Sequence, residues 1–160
     1  MTAEAYAEQV KAELGDAWLP NIYRERIRRM RTRSYNFEGL PKTVRVAVQH
    51  TLLGVELKVG SKRMLCPDLA TARYLAVFAR AGCDDVAVPY DITRISQLAD
   101  ELESAWHRMI LLADHHATAK SDAFQSRLRK LLVSKIRIEI QETGAGSSVP
   151  EFNQSTKQRK

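Results

Sequence analysis

The amino-acid sequence predicts an α+β fold: a small mixed β-sheet, made of a hairpin plus one βαβ-like crossover, framed by N-terminal helices and two long C-terminal helices. Apolar residues recur at helical spacing near the N-terminus and again after residue 67. Between residues 43 and 66 they alternate with polar residues, which is typical of strands. A chain of 160 residues, 44% of them hydrophobic, is long enough to form one domain with its own core.

Two helices are expected in the N-terminal part. Apolar residues three or four apart predict a helix over 2–14, and Gly15 supplies its stop. These residues are Ala3, Tyr6, Val10 and Leu14. A second helix is expected over 20–33, because the missing N–H of Pro20 costs nothing at a first helical position.

Residues 43–66 predict three strands. Gly60-Ser61 is a plausible two-residue turn between the second and third, since glycine adopts the positive φ required at the first turn position. The third strand then covers 62–66. The alternating apolar residues are Val44, Val46 and Val48 in the first strand and Leu53, Val55, Leu57 and Val59 in the second.

The order of elements after the hairpin predicts a crossover. Pro67 and Asp68 open a helix that Gly82 closes, and a short buried strand over 86–88 ends at Pro89. A strand, a helix and a strand in this order predict a right-handed connection between two parallel strands.

Two long helices are expected after this strand. Asp91 caps the first, which runs to about 117 and carries a heptad seam. The seam consists of Ile95, Leu98, Leu102, Ala105, Met109, Leu112 and His116. We expect the seam to pack within the domain, with a dimer as the alternative. The second helix covers 120–142, although 136–140 also alternates as a strand would. The domain thus spans 1–142, and 143–160 is expected to be a flexible basic tail.

The net charge of +6 conceals four blocks of alternating sign. Residues 1–23 hold one base and four acids, 24–63 eleven bases and three acids, 64–119 four bases and eight acids, and 120–160 nine bases and four acids. The blocks therefore carry −3, +8, −4 and +5. Arginine outnumbers lysine sixteen to nine, and its planar fork suits phosphates and carboxylates.

The N-terminal residues are acidic and polar, unlike a secretory signal, and no stretch approaches the ~20 apolar residues that span a bilayer. We therefore expect a cytoplasmic protein that does not contact a membrane.

Cys66 and Cys83 form no Cys-x-x-Cys pair and are expected to be buried thiols. No cofactor, metal ligand set or catalytic residue is predicted.

The strongest functional signal is an arginine-rich segment over 24–33. On a helical wheel, Ile27 and Met30 lie within about 40° of Tyr23, between two rows of arginines. Six like charges on one helix repel one another, so an anionic partner would stabilise it. Tyr35 and Phe37 follow and are candidates for stacking on bases. The arginines are Arg24, Arg26, Arg28, Arg29, Arg31 and Arg33.

The last helix adds a second group of bases, Arg127, Arg129, Lys130 and Lys135. Together with the arginine-rich segment, they predict a non-enzymatic module that binds the backbone of DNA or RNA with little sequence preference. The alternative is an interaction or scaffold protein, whose basic helix docks on an acidic protein surface, on the chain's own acidic middle, or on a second copy.

Glu56 and Lys58 lie two apart on a predicted strand and so share a face. This Glu-x-Lys pattern, with its surrounding helices and strands, resembles part of the PD-(D/E)xK nuclease core over about 43–90. The resemblance implies a metal-dependent nuclease, in which carboxylates hold the metal and the lysine steadies the nucleophile. That family needs another carboxylate on the preceding strand, yet no acid lies between Lys42 and Val55. A cross-strand ion pair is the other interpretation.

An acidic face is expected on the first long helix, opposite the heptad seam. It contains Asp100, Glu103, His107 and Asp114. Glu103 and His107 are four residues apart and close enough to share a metal, but no spacing supplies further ligands. A solvated acidic face, also suited to dock an arginine-rich helix, is therefore favoured.

Overall fold

The computed structural model describes residues 2–37 and 45–145, and it confirms the predicted α+β class. The helices are α1 (Ala3–Leu14), α2 (Leu19–Ile22), α3 (Leu69–Ala81), α4 (Ile92–His116) and α5 (Asp122–Thr143). The strands are β1 (Thr32–Asn36), β2 (Val46–Thr51), β3 (Gly54–Val59), β4 (Lys62–Cys66) and β5 (Asp85–Pro89). A 3-10 turn (Gly15–Ala17) joins α1 to α2, and a π-helical turn (Tyr23–Ile27) continues α2.

The strands form two antiparallel sheets. One has the order β2-β3-β4, and the other consists of β1 and β5. The predicted crossover with parallel strands is therefore wrong: β5 does not join the hairpin sheet but pairs with β1, with Thr32 opposite Pro89 and Asn36 opposite Asp85. The buried middle of β5 finds its ladder partner 50 or more residues earlier in the chain, which a local sequence pattern does not reveal.

The predicted helix over 20–33 is wrong in its second half. The π-helical turn ends at Ile27, and residues 32–36 form β1. Thr32 is 1% exposed and sits against the end of β5, so pairing with β5 overrides the local preference for helix. The arginine-rich segment therefore runs from a helical turn into a strand.

Both C-terminal helices form as predicted, including the helical choice for 136–140. The heptad seam of α4 is buried from Ile95 to Met109 and packs on α1, α3 and α5 of the same chain. The four-residue stripe of α5 is fully buried as well. It consists of Leu128, Leu132, Ile136 and Ile140. Packing within the domain, the default expectation for the seam, is thus confirmed.

The predicted caps and turn are also present. Asp91 accepts a hydrogen bond from the Thr93 N–H at the start of α4, and Gly82 ends α3 in the left-handed conformation with φ of 78°. Gly60 has a φ of 60° in the turn between β3 and β4. Both cysteines are buried and unbridged, and burial raises the pKa of Cys83 to about 12.

Two buried tyrosine hydroxyls bond both backbone groups of Ala87 on the side of β5 away from β1. The Ala87 N–H donates to the Tyr23 hydroxyl at 2.9 Å, and the Tyr74 hydroxyl donates to the Ala87 carbonyl at 2.5 Å. The Tyr23 hydroxyl in turn donates to the Gly144 carbonyl at the end of α5, at 2.7 Å. Tyrosine side chains thus take the place of a further strand at this edge.

Several sequence predictions concern residues outside the described ranges. These are Val44 in the first predicted strand and all of the predicted tail beyond residue 145. None of the helices in the described ranges combines the length and the apolar content that crossing a membrane requires.

Candidate nucleic-acid interface

The six arginines predicted to form two rows on one helix lie in different local structures. Arg24 and Arg26 are in the π-helical turn, Arg28 is its C-cap, and Arg33 lies in β1. The two rows depended on a continuous helix to residue 33, so they do not form. The contacts of each arginine therefore depend on residues that are distant in the sequence.

Three of these arginines form ion pairs with acids of the same chain. Arg24 is held in a partly buried position 3.5 Å from its carboxylate, and Arg26 reaches across to α4. The third is an exposed pair within the turn, at 3.4 Å. The partners are Glu139 for Arg24, Glu101 for Arg26 and Glu25 for Arg29. Of these three described pairs, the one formed by Arg26 is with the acidic middle of the chain, as the alternative hypothesis expected.

The other three arginines lie closer to the β1–β5 sheet. The Arg28 guanidinium lies against Gly144 and interacts with the Tyr23 hydroxyl. Arg31 places its guanidinium carbon 5.7 Å from the centre of the Tyr90 ring, within cation–π range. Arg33 is exposed on β1.

The two aromatic residues after the arginine-rich segment do not both face solvent. Phe37 is only 3% exposed and belongs to the core, so the expectation that it stacks on bases is wrong. Tyr35 is half-buried, contacts the Phe37 ring edge-on, and donates a hydrogen bond from its hydroxyl to the Met64 sulfur at 3.3 Å. This contact joins the two sheets.

Three of the four predicted bases of α5 are also paired. Arg129 forms a two-pronged contact with the Asp114 carboxylate of α4, at 3.0 and 2.5 Å. The other two pairs connect α5 to α1: Arg127 with Glu4 at 3.1 Å, and Lys135 with Glu8. Hydrogen bonding to Lys135 lowers the pKa of Glu8. Lys130 is exposed.

The acidic face of α4 binds an arginine rather than a metal. Arg73 of α3 donates to Glu103 at 3.0 and 2.6 Å and to Asp100 at 2.6 Å. These contacts raise the pKa of Arg73. Within the described ranges, no group of three or more histidine, cysteine or acidic side chains is placed to hold a metal ion, and His107 is exposed.

Glu56 and Lys58 occupy the same face of β3, as predicted. Glu56 accepts a hydrogen bond from the Gln49 amide on β2 at 3.5 Å and lies 3.9 Å from the Arg63 Nε on β4. These contacts are those of the cross-strand interpretation. Asp68, the other acid near this sheet, caps α3 by accepting from the Thr71 N–H at 2.7 Å.

The solvent-facing side of the three-stranded sheet gathers cations from all three strands. Lys58 lies directly opposite Arg63, and its other neighbour, Ala47, is two residues from Arg45 on the same side of β2. Arg45 and Arg63 are exposed, and Lys58 is half-buried. We call these three cations the basic sheet face. Glu56 is the acid on this side of β2, β3 and β4.

The end of the same sheet carries exposed leucines. Leu52 and Leu53 form the turn between β2 and β3 and are 106% and 83% exposed, and Leu65 on β4 is 63% exposed. The Thr51 hydroxyl braces the turn by accepting from the Leu53 N–H and donating to the Gly54 carbonyl, both at 3.1 Å. We call Leu52, Leu53 and Leu65 the apolar tip.

The basic sheet face was not among the predicted site residues, although the sequence contains the signal for it. A two-residue turn at Gly60-Ser61 fixes the register of β3 and β4, and counting outward from it places Lys58 opposite Arg63. The density of arginines in the arginine-rich segment predicted a different site. No protein-family model matches the chain, and neither the curated proteins nor the solved structures include a significant match.

Proposed function

We propose that the protein is a non-enzymatic module that binds the phosphate backbone of DNA or RNA, with the basic sheet face making the principal contacts. The observation that carries this proposal is the position of Lys58 directly opposite Arg63 on a solvent-facing side of the sheet. Like charges placed directly opposite each other destabilise a sheet. A phosphate between them would replace that repulsion with two attractive contacts, in competition with Glu56, which lies 3.9 Å from the Arg63 Nε.

The surroundings of the basic sheet face suit such a ligand. Gln49 and Thr51 lie on the same side of β2 as Arg45, and their polar groups are of the kind that bonds phosphate oxygens. Contacts of this type position a protein on the backbone without reading sequence. We therefore expect strong salt dependence and little preference among sequences.

The residues predicted from the sequence take a secondary place in this proposal. Six of the ten already pair with carboxylates of the chain, so a phosphate has to displace an acid to reach them. Arg33 and Lys130 are exposed, but they lie outside the basic sheet face.

Fluorescence anisotropy with labelled single- and double-stranded oligonucleotides tests the proposal. We expect binding at about 50 mM salt and a log–log salt slope of about −3, as for three phosphate contacts. The double variant Lys58→Ala plus Arg63→Ala should weaken binding equally for all sequences and make the slope shallower by about 2.

The matched control is Arg127→Ala plus Lys130→Ala, which removes two exposed cations from α5 instead. This variant should bind nearly as the wild-type protein does. Absence of wild-type binding at about 50 mM salt would overturn the proposed function. Weakening by the α5 variant alone would instead move the interface away from the sheet.

The apolar tip favours a second candidate, an interaction protein. Leucines at the two central positions of a β-turn are unusual, because such positions are usually occupied by glycine, asparagine or aspartate. A contiguous exposed apolar patch commonly marks a surface that docks on another protein. Because cations lie on the same sheet, we expect the partner to have an apolar pocket for the leucines and acidic residues around it.

Cross-linking with mass spectrometry separates this candidate from the first. Cross-links from Lys58 and Lys62 of the same sheet to one partner should disappear in Leu52→Ser plus Leu53→Ser. They should persist in Ile138→Ser, which alters an exposed apolar residue on α5. Cross-links that survive the tip variant count against this candidate, and oligonucleotide affinity should be the same in both variants.

A further inference from the structure

Strand β2 forms one edge of its sheet, with backbone groups directed away from β3. The Gly60 N–H donates to the Arg45 carbonyl at 2.9 Å, so Arg45 and every second residue after it bond towards β3. The N–H and carbonyl groups of the intervening residues, Val46, Val48 and His50, therefore point outward. Across residues 2–37 and 45–145, no backbone hydrogen bond reaches this edge.

The edge of β2 lacks the devices that usually prevent strands from pairing with other chains. Its six residues, 46–51, include no lysine, arginine, acid or proline, and its pairing with β3 runs without a bulge. The opposite edge of the same sheet is different, because β4 begins with Lys62 and Arg63. The outer edge of β5 is closed by the hydroxyls of Tyr23 and Tyr74.

We propose that β2 pairs antiparallel with β2 of a second copy of this chain and joins two three-stranded sheets into one. The outward-pointing groups set the register. A two-fold axis through the middle of the strand places Val48 opposite Val48 of the second copy, and Val46 opposite His50 of the second copy. Both are pairs of residues whose backbone groups face the new partner.

The side chains agree with this register on both faces. Residues directly opposite each other share a face, so the half-buried Val48 side chains of the two copies meet on the side covered by α3, with Val46 beside His50 of the second copy. On the solvent side, Ala47 meets Gln49 and Arg45 meets Thr51 of the second copy. No two like charges are opposed, which is the condition that a self-pairing strand must meet.

Pairing with a second copy also gives a closed dimer. Once the β2 edges are paired, the edges that remain on the joined sheet are the two β4 strands, each begun by Lys62 and Arg63. Like charges on these edges oppose further addition of strands. A two-fold interface of this kind closes at two copies, whereas an unguarded edge on both sides would lead to an open array.

The proposed dimer does not depend on what the sheet binds, but it changes the size of the basic sheet face. Antiparallel pairing keeps both solvent-facing sides on the same side of the joined sheet, so the two basic sheet faces become one surface. With strands about 4.8 Å apart and about 3.4 Å per residue, the two Lys58 positions lie about 16 Å apart.

Analytical ultracentrifugation of the full chain tests the proposal. We expect a monomer–dimer equilibrium for the wild-type protein and a monomer for Val48→Pro. Proline at this position removes only an outward N–H, so the bonds to β3 remain. The matched control is Leu65→Pro, which removes an outward N–H from β4 and should leave the dimer intact. Circular dichroism establishes that both variants fold.

A cysteine cross-link tests the register independently of proline. Opposed residues of this type have Cα atoms about 5.5 Å apart, within disulfide range, so oxidised Val48→Cys should form a reducible covalent dimer. Ala47→Cys should not, because its own copy is displaced by two residues along the strand. The native thiols, Cys66 and Cys83, are buried.

The outcomes separate this proposal from the proposed function. A wild-type protein that remains monomeric, a dimer that survives Val48→Pro, or a cross-link at position 47 in place of 48 overturns the β2 pairing. If the wild-type monomer instead adds an unrelated extended peptide to this edge, the second copy is the wrong occupant. Loss of oligonucleotide binding by Lys58→Ala plus Arg63→Ala, with the dimer intact, bears on the function alone.

Discussion

The helical part of the molecule and the three-stranded sheet treat their charges in opposite ways. In the helical part, cations are matched with acids from distant parts of the chain, as in the contacts of Arg73 with Asp100 and Glu103. In the sheet, Lys58 faces another cation. The first region uses charge to fasten helices together, and the second exposes charge to solvent.

This difference shows that charge along the sequence is a poor guide to charge on the surface. The most basic block, 24–63, divides between the two regions. Two of its arginines, Arg24 and Arg26, pair with Glu139 of α5 and Glu101 of α4. Its later cations form the basic sheet face. The density of bases in a segment therefore matters less than where the matching acids lie.

The largest expected effect is at Glu139, the most buried carboxylate of the helical network. It accepts from the Trp18 indole at 2.9 Å and from Lys11 at 3.0 Å, with Arg24 nearby. Glu139→Ala should lower the free energy of unfolding by about 2 kcal/mol, because it leaves part-buried donors without an acceptor. Arg63→Ala on the sheet, whose side chain is 64% exposed, should change it by less than about 0.5 kcal/mol. Urea denaturation measures both free energies of unfolding. Equal losses in the two variants would contradict the difference between the helical part and the sheet.

Acid should weaken the contacts of Glu139 in the helical part. Burial disfavours the charged form of Glu139, but hydrogen bonds from Trp18 and Lys11 outweigh it and lower the pKa of that carboxyl. A carboxyl whose pKa is lower in the folded state contributes stability above its unfolded pKa. That stability is lost as the pH falls through the folded value.

The urea midpoint should therefore fall as the pH decreases below about 4.5. Glu139→Gln should flatten this dependence. A wild-type midpoint that stays constant down to the acid transition would contradict the assignment of stabilising carboxylates to the α1–α5 contact.

The smallest effects should differ in sign between the two regions. Lys58→Glu replaces a like-charge cross-strand pair with an opposite-charge pair, so it should raise the free energy of unfolding by about 0.2–1 kcal/mol. The matched reversal Arg127→Glu places a second acid beside Glu4 and should lower the free energy of unfolding slightly. Both changes should shrink in high salt. A change of the same sign in the free energy of unfolding for both variants would contradict the difference between the two regions.

Local patterns in the sequence predict much of this fold. The seam from Ile95 to Met109 and the turn at Gly60-Ser61 each lie within a few residues of the structure they specify. The end of α2 and the existence of β1 do not, because Thr32 and its neighbours are strand only in the presence of β5. No periodicity within 20–33 records a partner that lies so far along the chain.

The candidate site divides in the same way. Counting from the predicted turn is enough to place Lys58 opposite Arg63, since cross-strand register follows from turn position. The neutralisation of the α5 bases is not predictable in this way. Arg127 and Glu4 are 123 residues apart, and only the packing of α1 against α5 brings them together.

The hydroxyl of Tyr23 has a consequence for the order in which the chain can complete its fold. The groups it bonds lie 64 and 121 residues later, at Ala87 and Gly144. Because synthesis proceeds from the N-terminus, this side chain leaves the ribosome long before either partner exists. A nascent chain that stops before the end of α5 can close the edge of β5 but leaves the hydroxyl without its acceptor. The N-terminal segment therefore reaches its final hydrogen bonding only when almost all of the described chain has been made.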